Sequence, residues 1–283
     1  MATRINYKRN QKFHYSPLRY PGGKTFLWPF LDKVIRNNGL SNITYVEPFA
    51  GGAGAALALL LMERVERVVI NDLDKAIYSF WESAIFDSER FIEKIYSTPI
   101  NITEWKRQKR IHHDRRSSLF NLGFATFFLN RTNVSGILDG GPIGGMDQRG
   151  PWKLNARFNK DTLAHRIREL AFYKNRISVS NRDGIDLVKE YLKRENTFVY
   201  LDPPYYEKGS TLYLNHYKNA DHKALASQLN CRKDAHWLLT YDNRTEIRSL
   251  YLGRHIIDFT LNYNAYELRR GKEIMICSDA IKV

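Results

Sequence analysis

The chemistry in this chain is most concentrated in four consecutive residues, Asp202-Pro203-Pro204-Tyr205. They follow the apolar run Thr197-Phe198-Val199-Tyr200-Leu201, which reads as a short buried strand. A carboxylate at the carboxyl end of such a strand stands where open α/β sheets bind ligands. Two prolines then forbid a regular continuation; each removes an N–H and fixes φ, so the local carbonyls are held rigid and free to accept hydrogen bonds. An aromatic ring follows at once. One acidic acceptor, stiff carbonyls and a flat ring together suit a planar base carrying an exocyclic amine, the acceptors taking the amine hydrogens and the ring stacking on the base.

Such an amine, on adenine for example, is a poor nucleophile because its lone pair is delocalised into the ring. Two acceptors on its hydrogens favour a more tetrahedral nitrogen with a localised lone pair, ready to attack an electrophilic methyl. This is electrostatic preorganisation rather than strong-base chemistry. Taken alone, the four residues also fit a tight turn with Tyr205 as a core aromatic, so their companions decide.

The first companion is Glu47-Pro48-Phe49-Ala50-Gly51-Gly52-Ala53-Gly54, which closes one strand and opens a helix. Its glycines let the backbone pass close to a ligand. The loop lacks the Gly-Lys-Ser/Thr ending of a phosphate-transfer loop, and the acidic residue ahead of it disfavours a pyrophosphate. The next strand ends in Asp72, where a carboxylate commonly binds ribose hydroxyls. Asn181-Arg182-Asp183-Gly184 precedes a further helix, and Asp183 suits either a helix cap or an adenine edge. Near the amino terminus, Leu18-Arg19-Tyr20-Pro21-Gly22-Gly23-Lys24 reads as a turn capping a helix, or as a turn that brings Lys24 to a carboxylate group as a point charge.

The elements that must position these residues alternate. Strands are expected at Ile43–Phe49, Val65–Ile70, Ile177–Ser180, Thr197–Leu201 and His236–Thr240, with helices at Gly54–Glu63, Lys75–Phe86, Ile185–Lys193 and His222–Asn230. A β-loop-α-β unit of this kind implies parallel strands and a right-handed crossover. The carboxyl end alternates in Ile256–Leu261 and Glu273–Ser278, with a polar loop Asn264–Lys272 between. The middle differs: from about Arg90 to Tyr173 it is helical, then glycine-rich and basic over Leu138–Arg157. It reads as an insertion, 90–173, between two parts of one sheet domain, 1–89 and 174–283.

Lys+Arg number 44 against 30 Asp+Glu, a formal net charge of +14. An excess this large favours a polyanion, nucleic acid before membrane. It gathers in Lys106–Arg116 and Arg149–Arg168. No apolar run is long enough for a membrane span and the start shows no secretory signal. The two cysteines, Cys231 and Cys277, lack metal-ligand spacing and point to reduced thiols in a cytoplasmic protein.

The order Tyr20-Pro-Gly-Gly-Lys24, Glu47 to Gly54, Asn71-Asp72, Phe128-Leu-Asn-Arg131 and Asp202-Pro-Pro-Tyr205 resembles the Dam-type (D12 class) N6-adenine-specific DNA methyltransferases, over nearly the whole chain. The resemblance implies an α/β fold: a Rossmann-like S-adenosylmethionine-dependent methyltransferase sheet with an inserted, mainly helical target-recognition domain carrying a basic hairpin. By it, Tyr20, Gly22, Gly23 and Lys24 would meet the methionine end of the cofactor. Glu47, Phe49 and Gly51 would line its pocket, Asp72 would hold its ribose, Asp183 would lie near its adenine, and Asp202 would border it. Asp202, Pro203, Pro204 and Tyr205 would grip the target adenine. The segment Leu138–Arg157 departs from any recognition sequence known in the family. No metal is expected, because a sulfonium methyl needs no Lewis acid. The resemblance leaves room for a cognate restriction endonuclease in a restriction-modification pair.

A base inside a duplex cannot reach a buried methyl donor and must be flipped out. The expected partner is double-stranded DNA. Arg107, Arg110, Arg115 and Arg116 are expected at its phosphates; Asn130, Arg131 and Asn133, then Arg149, Trp152, Lys153, Asn155 and Arg157, form groups from which base contacts are expected. Arg269 and Arg270 are expected near the target pocket or on a surface hairpin. Methylation of an RNA adenine, and a non-catalytic nucleic-acid-binding protein with this fold, are the competing readings.

Overall fold

The computed structural model describes residues 15–19, 23–206, 217–265 and 267–283, with the backbone alone for 260–265 and 267–271. Among the described residues seven strands, β1 (Thr44–Glu47), β2 (Arg67–Asn71), β3 (Ile177–Ser180), β4 (Thr197–Leu201), β5 (His236–Asp242), β6 (His255–Ala265) and β7 (Glu267–Cys277), form one sheet in the order β3-β2-β1-β4-β5-β7-β6. β1 is parallel to β2 and β4, and β4 to β5, whereas β7 is antiparallel to both β5 and β6. This is the doubly wound Rossmann order with an extra antiparallel strand let in before the last. The strand order reverses between β1 and β4, so the carboxyl ends of these two neighbours mark the crevice where such sheets bind ligands.

Contacts divide the described residues into two units. The first holds 24–74 and 180–283, the second 75–179 with 15–19 and 23. In the first, α1 (Trp28–Asn37) and α2 (Gly54–Leu61) precede and follow β1. The central strands are largely buried, as expected of strands covered on both faces: all five residues of β4 are buried, and Val46, Val199, Leu239 and Ile274 share a core with Leu187, Leu225 and Trp237.

The second unit contains α3 (Lys75–Phe86), α4 (Ser88–Ser97), α5 (Ile102–His113), α6 (Leu119–Thr132) and α7 (Lys160–Phe172); the expected insertion, 90–173, lies within it. The side chains of Asn101, Ser118 and Asn159 cap α5, α6 and α7. α6 is buried from Leu122 to Thr132 because it is apolar nearly all round. Phe80 of α3 stacks on Phe127 of α6 at 5.9 Å between centroids, and Phe91 meets Phe124 at 5.4 Å. Gly123 lets α3 and α6 approach: a Cβ there would lie 2.2 Å from the Ser79 carbonyl oxygen. Gly123→Ala is therefore expected to destabilise the protein by about 2–3 kcal/mol, measured as a lower urea midpoint with unchanged slope.

Two expectations are corrected. The glycine-rich segment 138–157 forms turns, one isolated bridge between Asn133 and Pro142, and a 3-10 turn over Leu154–Arg157, not a hairpin. Positive φ at Gly144 (86°), Gly145 (76°) and Gln148 (53°) curls the chain. The Gln148 amide then holds the curl through the Ile143 and Gly145 carbonyls and the Leu154 N–H. The carboxyl-terminal loop Asn264–Lys272 is largely strand, because the two eleven-residue strands β6 and β7 pair through it, with Asn262 opposite Arg270 and Tyr263 opposite Arg269. Cross-strand pairing overrides the turn-forming Asn and Gly there. Among the described residues no helix is long and apolar enough to cross a membrane.

Candidate active site

Asp202 leaves the end of β4 and is held from two sides. Lys24 Nζ lies 3.0 Å from Oδ2, and the Thr240 hydroxyl, on the neighbouring β5, donates to Oδ1 at 2.8 Å. Tyr200 steadies that hydroxyl at 3.0 Å. The Lys24 side chain is only 4% exposed and that of Asp202 21%, so the ammonium is enclosed while the carboxylate keeps an open side. Pro203 is buried and Pro204 half-buried.

Tyr205 is fixed by its hydroxyl. It accepts from Lys24 Nζ at 2.6 Å and donates to Glu273 Oε1 at 2.6 Å. Burial, then the charges of Asp202 and Glu273, push the phenol well above its ordinary range, so it stays a neutral donor. Anchoring the hydroxyl inward fixes the ring plane, as a stacking surface requires. The Tyr206 N–H donates to Asp242 Oδ1 at 3.0 Å, tying this segment to the end of β5.

Glu273 is the residue that sequence reasoning missed. It enters from β7, opposite Asp242, with a side chain 1% exposed. Burial pushes it up to about 7, against the pull of Lys24, whose Nζ lies 3.8 Å from Oε2. A charged residue heading the apolar run Ile274-Met275-Ile276-Cys277 is the signal that could have found it. Lys24, expected at a donor's carboxylate, meets Asp202, Tyr205 and Glu273 with its enclosed ammonium.

The other strand ends carry the glycine loop. Glu47, buried at the end of β1, accepts from the Ala56 N–H of α2 at 3.0 Å and from the Tyr45 hydroxyl at 3.2 Å; burial still pushes it up to about 8. Asp72 Oδ2 accepts from the Gly51 N–H at 2.8 Å and Oδ1 from the Asp74 N–H at 2.9 Å, and burial pushes it up to about 7. Gly51 has φ 47°, the left-handed backbone the turn requires. Phe49 is half-buried and lies over Gly184, where a Cβ would stand 2.3 Å from its ring. Asp183 caps α8 (Gly184–Tyr191) through the Ile185 and Asp186 N–H groups, the first of its two readings. These residues fit a nucleoside-bearing methyl donor: a half-open aromatic face, a close backbone approach and a strand-end carboxylate.

Residues 20–265 match the model of the D12 class N6 adenine-specific DNA methyltransferases. The chain belongs to this family. It is an enzyme, a DNA adenine methyltransferase, and its reaction requires a methyl donor. No curated protein matches it. Among solved structures, the rRNA methyltransferase aviRa from Streptomyces viridochromogenes is similar at TM-score 0.34 and 12% identity, over 88% of this chain and 84% of that one.

Within this methyltransferase the expected DNA-facing residues divide. Arg110, Arg115, Arg116, Arg149, Lys153, Asn155 and Arg157 are exposed, and Trp152 is 66% exposed with the Arg157 guanidinium 6.0 Å from its ring. Arg107 is exposed but bound twice to Glu104, at 2.8 and 2.7 Å. Lys106, Lys109, Arg110 and His113 line a shallow concavity of about 640 Å³ beside Trp105, in the second unit. Asn130 and Asn133 are corrections. Asn130 is buried, accepts from the Arg19 N–H and donates to the Arg19 and Gly136 carbonyls. Asn133 is buried, accepts from Trp105 Nε1 at 2.7 Å and donates to the Ile137 and Leu138 carbonyls. Both N–H groups of each amide are taken by backbone carbonyls and both side chains are buried, which leaves no donor for a base. Asn133→Ala is expected to cost about 2–3 kcal/mol of stability and to leave the methylated sequence unchanged, read by thermal denaturation beside methylation mapping. Arg131 is also buried, with no hydrogen-bond partner for Nε among the described residues. Tyr20 and Gly22 lie outside the described residues, Gly23 is exposed, and Arg269 and Arg270 are placed only as backbone positions of β7.

Proposed function

We propose that this enzyme transfers a methyl group from S-adenosylmethionine to the N6 amine of an adenine flipped out of a specific duplex DNA sequence. The observation that carries the reading is Asp202, held at the strand-order reversal by Lys24 and Thr240 and keeping an open side, with Tyr205 clamped beside it. Asp202 and the Pro203 carbonyl accept from the amine, and Tyr205 supplies the stacking face. When bound, S-adenosylmethionine supplies a methyl on a sulfonium. Asp202 would stabilise the positive charge that develops on N6 as the amine takes up the methyl, and would accept the surplus N6 proton. Phe49, Gly51 and Asp72 would hold the nucleoside, and Glu47 sets the loop and helix that present them.

The second unit supplies the polymer contacts. Arg110, Arg115 and Arg116 suit phosphates. Arg131, pushed down to about 9 by burial and by the charges of Arg166, Arg19 and Arg157, suits a phosphate better than a base edge, because an anion relieves that repulsion. Trp152, Lys153, Asn155, Arg149 and Arg157 stay as candidates for base contact. Flipping costs a few kcal/mol, which phosphate contacts and stacking on Tyr205 offset.

Expression in a methylation-free host, followed by sequencing that detects modified adenines, tests the reading. N6-methyladenine confined to one motif is the expected result. Modification of RNA alone would transfer the chemistry to the competing substrate.

A further inference from the structure

Glu273 lies beyond the residues matched by the family, 20–265, yet it is wired into the Asp202 cluster. Its Oε1 accepts from the Tyr205 hydroxyl at 2.6 Å. Its Oε2 has no hydrogen-bond partner among the described residues and stands 3.8 Å from the Lys24 ammonium. The cluster thus sets one ammonium against two carboxylates, with the ammonium and Glu273 enclosed.

Charge explains why two carboxylates matter. Methyl transfer moves positive charge onto the N6 nitrogen, and a low-dielectric site magnifies every fixed charge nearby. With Asp202 alone, the Lys24 ammonium cancels the carboxylate that must stabilise that nitrogen. With Glu273 also ionised, the cluster is net negative.

We infer that Glu273 is a positioning residue for methyl transfer, which balances the Lys24 ammonium and anchors the Tyr205 hydroxyl so that Asp202 presents uncancelled negative charge to the target amine. The inference rests on the function proposed above and adds a residue and a pH dependence to it. Burial holds the Glu273 carboxyl up at about 7. The charged and titratable groups that face it are Lys24, Asp202, Tyr205, Asp242 and the Tyr200 phenol of β4; its register partner on β6 is Phe259. Lys24 pulls its pKa down, and the two aspartates push it up. The active form is the ionised one, so transfer gains strength as pH rises through about 7 and fades below it.

The test is single-turnover methyl transfer to adenine-containing duplex DNA from about pH 6 to about pH 8, for wild type and Glu273→Gln, with DNA affinity measured alongside. Wild type is expected to speed up about tenfold across that range. Glu273→Gln is expected to be slower than wild type at about pH 8 by about 10–10²-fold, to show no rise with pH, and to bind DNA as wild type does. A variant that keeps the wild-type rate, or is slow yet keeps the same acidic limb, overturns the inference while the function stands. If the variant does not fold, the wild-type profile decides alone, and a flat profile overturns the inference. Absence of adenine methylation by wild type would overturn the function and this inference together.

Discussion

Replacing Asp202 by alanine is expected to lower methyl transfer at least about 10³-fold while the protein stays folded and still binds DNA. The carboxylate is the acceptor at the strand-order reversal, and its side chain keeps 21% exposure for a substrate. Removing it leaves the Lys24 ammonium beside the amine, where it opposes the charge that develops on nitrogen. Stability suffers less, because Lys24 keeps Tyr205 and Glu273 as partners. Burst kinetics on duplex DNA, with circular dichroism and a DNA-binding titration as controls, separate these effects. A variant that lost DNA binding along with transfer would mean that Asp202 serves the fold and not the chemistry.

Lys24→Met is expected to show the largest loss of stability, about 3 kcal/mol or more. The substitution leaves Asp202 and Glu273 facing each other without the ammonium that reconciles them. Removing one partner of a buried ion pair costs far more than the pair contributes, because an uncompensated charge remains. The effect has a pH sign. Glu273 has a folded pKa raised by burial to about 7 from an ordinary 4.5. Its contribution to stability is thus fully present below about 4.5 and is lost as pH rises through about 7. Without Lys24 its ionisation is harder still, so the deficit of the variant should be greater at about pH 9 than at about pH 6. Urea denaturation at the two pH values reads it; an equal deficit at both would place the stabilising effect of Lys24 elsewhere.

What was legible in the sequence was mostly local. Asp202-Pro203-Pro204-Tyr205 follows a strand that reads as buried from five apolar residues, and Glu47 and Asp72 close two more such runs. Strand-end chemistry needs only the strand and the next residue to be seen. Lys24 stands out through its glycine turn, but its meeting with Asp202, Tyr205 and Glu273 is not legible locally, because which acceptor an ammonium meets depends on elements far along the chain. Glu273 was missed for the same reason. It reaches Tyr205 across 68 residues, and nothing in its neighbourhood marks a functional role beyond a charge in an apolar strand. Asn130 and Asn133 failed differently. An asparagine at a helix end suits a base edge and a loop carbonyl equally well, and only the fold shows that the Arg19, Gly136, Ile137 and Leu138 carbonyls have taken every amide N–H of the two. The segment 138–157 was readable as irregular from its glycines, but not as a curl organised by one glutamine.

The most direct measurement of the central claim is a nucleoside analysis. Wild type and Asp202→Ala are each incubated with duplex DNA and methyl-labelled S-adenosylmethionine, and the DNA is digested and its nucleosides resolved by mass spectrometry. The expected result is label in N6-methyladenine from wild type and none above background from Asp202→Ala. Label on another base, label found only when RNA is supplied, or equal label from both proteins would contradict the account.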